Sequence, residues 1–310
     1  MAKITDFHFS SANGSTNIHC RMWSPEGEPR GVVQLVHGVA EHIGRYHEFA
    51  TFLTEHGFIA VGDDHLGHGL SINNESELGW FAEKDGWDLI VKDEKTLRDM
   101  IREKYPDSPL ILLGHSMGSF MARTYIGYYP DDFDLCILSG TGHTPGAVCR
   151  AGRMIARREV RRHGSKYHSA TLQNMAFGNY LKGIENPIGA NDWICRDENV
   201  IRAYEADPLS GFAASAELMY EMMVGLEMIG NNSHIMKMKK DLPILFISGE
   251  ADPVGGWGKG VRTVFDRFKG IGMQDVTIRI YPEMRHEVLN EINKQEVWND
   301  VLAWIEKKIG

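Results

Sequence analysis

The sequence predicts an α/β protein in which a mostly parallel sheet is flanked by helices, and three observations carry that expectation. Short β-branched apolar runs alternate with amphipathic helical segments in both terminal parts of the chain. Glycine or proline marks most junctions between them. The length, 310 residues with 43% hydrophobic and 24% charged, suits one large domain carrying an insertion better than several small modules.

The elements follow in order. Before Gly31, apolar residues at Phe7 and Phe9, then at Ile18, Cys20 and Met22, have the period of two of an antiparallel hairpin at one sheet edge. Gly31-Val-Val-Gln-Leu-Val-His-Gly38 is a buried strand ended by glycine. Phe49, Ala50, Phe52 and Leu53 give Tyr46 to His56 a helical period closed by Gly57, and Phe58 to Gly62 is the next strand. Between Gly86 and Tyr105 a charged helix gathers Leu89, Ile90, Leu97, Met100 and Ile101 on one face and stops at Pro106. Leu110 to Leu113 is a third buried strand, Met117 to about Tyr129 a helix ended by Pro130, and Leu135 to Leu138 a fourth strand. Strands covered on both faces read as unbroken apolar runs, as these do.

After Ser139-Gly-Thr-Gly142 the pattern breaks. Residues 143–240 show helical periodicity and loops with no strand, the mark of an inserted helical segment in a core formed by 1–142 and 241–310. The strand–helix pattern resumes with Pro243 to Ser248, a helix from about Lys259 to Phe268, the alternating strand Val276 to Tyr281 and a final helix ending near Lys308. Alternation in that last strand predicts a less buried position.

A net charge of −9 disfavours a nucleic-acid partner. The charge is uneven: the insertion holds 13 basic and 10 acidic residues, a net of +3, which leaves −12 for the remainder. Arg150, Arg153, Arg157, Arg158, Arg161 and Arg162 surround an apolar stripe of Met154, Ile155 and Val160. This is either a solvated helix face or a surface for transient contact with anionic head groups at a lipid–water interface. Cys20, Cys136, Cys149 and Cys195 are scattered and read as reduced thiols. With no apolar run of signal-peptide or membrane-span length, the expected location is the cytoplasm.

Chemistry concentrates at Gly114-His-Ser116-Met-Gly118, a G-x-S-x-G pentapeptide between an apolar strand and an apolar helix. A reversal that tight needs small residues on both sides, because a Cβ there would strike the crossing backbone. It lifts the Ser116 hydroxyl clear of the sheet and sets the Met117 amide at a helix N-terminus, where a developing oxyanion is stabilised. Serine needs a base and a group that orients the base. Asp252 follows the strand ending near Ser248, and His286 follows the last strand, at the carboxyl edge where open α/β sheets build their sites. Glu250 is a rival for the acid. Asp252 is preferred because Pro253 fixes the loop just beyond it and a carboxylate nearer the strand end would point into the sheet. The exit His37-Gly-Val39 can supply a second oxyanion donor from the Val39 amide. Asp63-Asp-His-Leu-Gly-His68 has metal-ligand chemistry but no H-x-H-x-D-H pattern, so it reads as a loop bracing the site, with no metal. Met219, Met222, Met223, Leu226 and Ile229 at helical spacing are either core packing or the wall of an acyl pocket.

Three motifs together, His37-Gly-Val-Ala-Glu-His-Ile-Gly-Arg-Tyr46, Asp64-His-Leu-Gly-His-Gly69 and Gly114-His-Ser-Met-Gly118, resemble those of the monoacylglycerol lipase and lysophospholipase branch of the α/β-hydrolases. The resemblance implies the α/β-hydrolase fold with the insertion as a lid, Ser116 as nucleophile with Asp252 and His286, and Val39 and Met117 as oxyanion donors. It further implies esters of single acyl chains as substrates and no cofactor. The insertion departs from that pattern in being longer and more basic than a compact lid. Two other readings remain at this point: an aminopeptidase resembling the prolyl iminopeptidases, and a non-catalytic ligand-binding relative of the fold.

Overall fold

The computed structural model describes residues 2–310. An eight-stranded sheet runs through the molecule, from β1 (Lys3–Ser10), β2 (Asn17–Ser24), β3 (Gly31–Val36) and β4 (Phe58–Asp63) to β5 (Leu110–His115), β6 (Leu135–Ser139), β7 (Ile244–Gly249) and β8 (Val276–Tyr281). Their spatial order is β1-β2-β4-β3-β5-β6-β7-β8. The pairings β1–β2 and β2–β4 are antiparallel and all the others parallel. The amino-terminal hairpin therefore occupies one edge and β8, whose residues are mostly only partly buried, the other.

The apolar runs of the central strands have a direct cause. Along β3, β5 and β7, Val32, Leu112 and Phe246 face one core, while Val33, Leu113 and Leu245 face a second on the opposite side of the sheet. With both faces covered, every position favours an apolar side chain. Helices α1 (His47–Glu55) and α10 (Lys294–Ile309) close the second core through Phe49, Phe52, Trp298 and Ile305. Helices α2 (Gly86–Lys104), α3 (Met117–Tyr128) and α9 (Lys259–Gly270) close the first.

Residues 143–240 contain no strand and five helices: α4 (Gly146–His163), α5 (Ala170–Phe177), α6 (Glu198–Ala206), α7 (Ala216–Ile229) and α8 (Asn232–Ile235). Helix α7 is bound into the first core, where Met219, Met222, Leu226 and Ile229 pack with residues of α2 and α3. A Cβ at Gly225 would overlap the Trp87 indole, and Glu221 accepts the Trp87 amide at 3.1 Å. Helix α4 packs across α7. The methionine stripe is thus core, and Met222 also reaches the cavity described below. Among the described residues no helix is long and apolar enough to cross a membrane.

Candidate active site

Ser116 sits between β5 and α3 with φ 53° and ψ −121°, a backbone conformation that serine seldom adopts. Three features hold it there. The Ser116 amide donates to the Ser139 carbonyl of β6 at 2.9 Å, and the Ser119 hydroxyl donates to the Ser116 carbonyl at 2.6 Å. A Cβ at Gly114 would press into the Gly118 backbone, and one at Gly118 into the Val36 and His37 carbonyl oxygens. Both glycines are therefore required by close approach of three chain segments.

Asp252 and His286 arrive on the loops after β7 and β8. The fully buried Asp252 carboxylate meets His286 Nδ1 at 3.0 Å and accepts the Val254 amide at 2.8 Å through the same Oδ1. The other ring nitrogen, His286 Nε2, is buried with no hydrogen-bond partner among the described residues. His286 and Ser116 both line a cavity of about 60 Å³. Burial alone would lower the His286 pKa, but the Asp252 charge and hydrogen bond, with Glu287 and Glu41 behind them, outweigh it and the net shift is upward. Glu250 does not point into the sheet: it is exposed, and of the two acids only Asp252 touches the imidazole.

Val39 and Met117 line the same cavity. As the first residue of α3, Met117 has an amide with no intrahelical acceptor. The His37–Val39 turn is pressed against the serine, since a Cβ at Gly38 would lie 3.1 Å from Ser116 Cβ. Glu41 anchors that turn by accepting the Gly38 amide at 2.5 Å and the Tyr46 hydroxyl at 3.0 Å. Its second oxygen takes Arg45 at 2.7 Å, and Arg45 makes a bidentate pair with Glu287 at 2.7 and 2.8 Å. The sequence reading gave these three ionic residues no role, although Glu41 and Arg45 lie within the motif from His37 to Tyr46.

The Asp63–His68 loop braces the turn from below. Asp64 accepts the Ile43 and Leu70 amides, each at 2.9 Å, and meets His19 Nδ1 at 2.9 Å. His65 stacks on His37 with ring centroids 3.7 Å apart, and its amide donates to His37 Nε2 at 3.0 Å. Among the described residues, Asp63, His65 and Glu94 form the group whose buried ligand atoms, within 4.8 Å of one another, could hold a cation. His65 Nδ1 lies 3.1 Å from Asp63 and 3.3 Å from Glu94, and burial with the Asp63 charge pushes the Glu94 carboxyl well above the usual range.

Two rings flank His286. His115, within the serine motif, lies 4.7 Å away, and burial with the neighbouring imidazole pushes its pKa down to about 4, so it is neutral at pH 7. The Trp193 ring lies 5.2 Å from that of His286. Trp193, Phe177, Tyr180 and Met222 all come from residues 143–240 and close the cavity. A groove of about 490 Å³ adjoins it and shares Val39, Phe177, Trp193 and Tyr204. Nothing in the local sequence around Trp193 marks it as a neighbour of His286.

The family model described as serine aminopeptidase, S33, matches residues 27–293. The chain is 30% identical over 301 residues to a monoacylglycerol lipase of Mycolicibacterium smegmatis, covering 96% of each chain. It is 26% identical to the human monoglyceride lipase, over 97% of this chain and 90% of that one. Among solved structures it is similar to a thermostable carboxyl esterase from Bacillus coagulans in complex with glycerol, with a TM-score of 0.92, 30% identity and 100% of both chains covered.

Proposed function

The chain belongs to the serine aminopeptidase S33 family, in its monoacylglycerol lipase branch, and from that premise we propose that this carboxylic-ester hydrolase cleaves esters of single acyl chains through an acyl-enzyme on Ser116. His286 Nε2 takes the Ser116 proton as Oγ attacks the carbonyl carbon. The amides of Val39 and Met117 hold the oxyanion, and Asp252 keeps the tautomer that leaves Nε2 free to accept. The imidazolium returns the proton to the leaving alcohol, and water repeats the sequence on the acyl-enzyme. The observation that carries this reading is the buried His286 imidazole, paired with Asp252 through Nδ1, unpartnered at Nε2 and lining the same cavity as Ser116.

In this reading residues 143–240 are the lid, and monoacylglycerol or lysophospholipid is the substrate. An aminopeptidase would need a carboxylate available to a free amine. Glu41 and Glu287 line the cavity, but both are committed to Arg45, which favours the ester. Four buried free thiols fit the cytoplasmic setting. A fluorophosphonate probe should label Ser116 stoichiometrically, and in a panel of p-nitrophenyl esters, monoacylglycerols, a lysophospholipid and aminoacyl anilides the acyl esters should turn over fastest. Absence of labelling would favour a binding protein, and faster anilide cleavage a peptidase.

Helix α4 supports a lipid-interface contact as well. Arg150 and Arg153 are paired with Glu227, and Arg157 lies over the Tyr220 ring at 4.0 Å. Arg158, Arg161 and Arg162 remain exposed, beside Met154 at 76% exposure and Val148 at 55%. Each arginine near an anionic bilayer contributes about 1 kcal/mol, so charge reversal at Arg157, Arg158, Arg161 and Arg162 should cut partitioning onto anionic vesicles by at least about tenfold at low salt. Unchanged cosedimentation would remove the contact.

A further inference from the structure

The chain between α5 and α6 runs directly against the loop that carries His286. The amides of His286 and Glu287 donate to the carbonyls of Trp193 and Ile194 at 3.3 and 2.7 Å. On one side of that pair, Arg285 Nη1 donates to the carbonyls of Asp192 and Cys195 at 2.5 and 3.0 Å. The fully buried Glu291 carboxylate completes the other side, accepting the Arg285 amide at 2.8 Å, Arg196 Nε at 2.9 Å and the Arg196 amide at 3.3 Å. Residues Asp192 to Arg196 are thus joined to residues 285–291 at six points.

The segment is itself held in place. Asp192 closes its own turn by accepting the Ile188 and Gly189 amides at 2.5 and 3.2 Å. Ile194 and Cys195 pack with Ile201 and Tyr204 in a small apolar cluster separate from the two sheet cores. The bond from Nδ1 to Asp252 fixes one point of the imidazole, and the His115 and Trp193 rings pack against it. What orients the ring further is the backbone of residue 286, and that backbone is paired to the inserted segment.

We propose that Asp192 to Arg196 form a strap that positions His286, with Arg196 and Glu291 as positioning residues acting through the backbone of residues 285–287. The inserted segment then helps to build the catalytic base as well as covering the serine. This rests on the reading of His286 as base, and makes activity sensitive to residues that never touch substrate.

Two variants test it. The Arg196 side chain is 24% exposed, and Arg196→Ala removes its bonds to Glu291, Asn293 and Glu283 while leaving the Arg196 and Arg285 amides on the buried Glu291 carboxylate. Glu291→Gln keeps the shape but presents an amide donor to the groups that donate to it. Misplacement of a catalytic group by a fraction of an ångström should lower kcat by about tenfold or more. KM should change less than kcat, because neither substituted side chain lines the cavity. Fluorophosphonate labelling should slow by the same factor as kcat, and Arg196→Lys, which keeps a cation, should recover part of the loss. Active-site titration separates positioning from folding: fewer sites at full rate per site would overturn the proposal, as would wild-type kcat and labelling rate in Arg196→Ala, even if Glu291→Gln does not fold. Failure of the wild-type protein to label would instead sink the hydrolase reading itself.

Discussion

Replacing Ser116 by alanine should leave a folded protein whose ester turnover is lower by roughly 10³- to 10⁶-fold. The substitution removes one oxygen from a partly exposed side chain and no part of either core. Alanine carries the same backbone strain at φ 53° that serine does, so the turn keeps its anchors at Ser139 and Ser119. The thermal midpoint should therefore move by only a few degrees, as for substitutions away from packing. Without Oγ no acyl-enzyme can form, and what remains is whatever the oxyanion amides contribute to direct attack by water. Rates on a p-nitrophenyl ester, corrected by circular dichroism for folded protein, check this. Retention of more than a few per cent of the activity would remove Ser116 from the mechanism.

Asp252→Asn should be nearly as damaging, by about 10⁴-fold in kcat, with a change in pH profile that identifies the cause. Asparagine can offer an amide N–H to His286 Nδ1, which favours the tautomer whose proton sits on Nε2, where it blocks acceptance from serine. The pH argument is separate. In the native protein burial lowers the His286 pKa, the Asp252 charge and hydrogen bond raise it, and the raising effects win. The neutral imidazole is the active base, so the native rate should fall on the acid side at a higher pH than an ordinary histidine would give. Removing the Asp252 charge leaves burial dominant, and the acid limb of the residual kcat/KM should move to lower pH. A residual profile with the wild-type limb would mean that Asp252 does not govern the titration.

How much of this was legible in the chain depends on the range over which the physics acts. Strand β8 was predicted at its observed limits, Val276–Tyr281, and α9 at its observed start, Lys259, because periodicity and punctuation act over a few residues. The helices of the insertion were not individually placed. Helix α5 has 8 residues and buries only Leu172, so its hydrophobic period is weak, while α6, with 9, buries only Ile201 and Tyr204 and is too short a run to stand out. Their capping residues were the available signal: Ser169 and Asp197 each accept an amide from the first turn, as Ser215 does for α7.

At the site, the identity of the chemistry was local. Gly114 and Gly118 declare a turn no larger residue fits, and the order of serine, acid and histidine along the chain suits the nucleophile role proposed for that turn. The choice between Asp252 and Glu250 was not local, because two residues of separation decide whether a carboxylate meets His286 or solvent only once β7 and β8 lie side by side. The same holds for Arg45 with Glu287, 242 positions apart, and for Arg196 with Glu291, 95 apart. Short-range pattern records which face of a strand or helix is apolar. It holds no record of partners joined by charge and hydrogen bonding across the sheet, because those contacts exist only after the chain has been brought back upon itself.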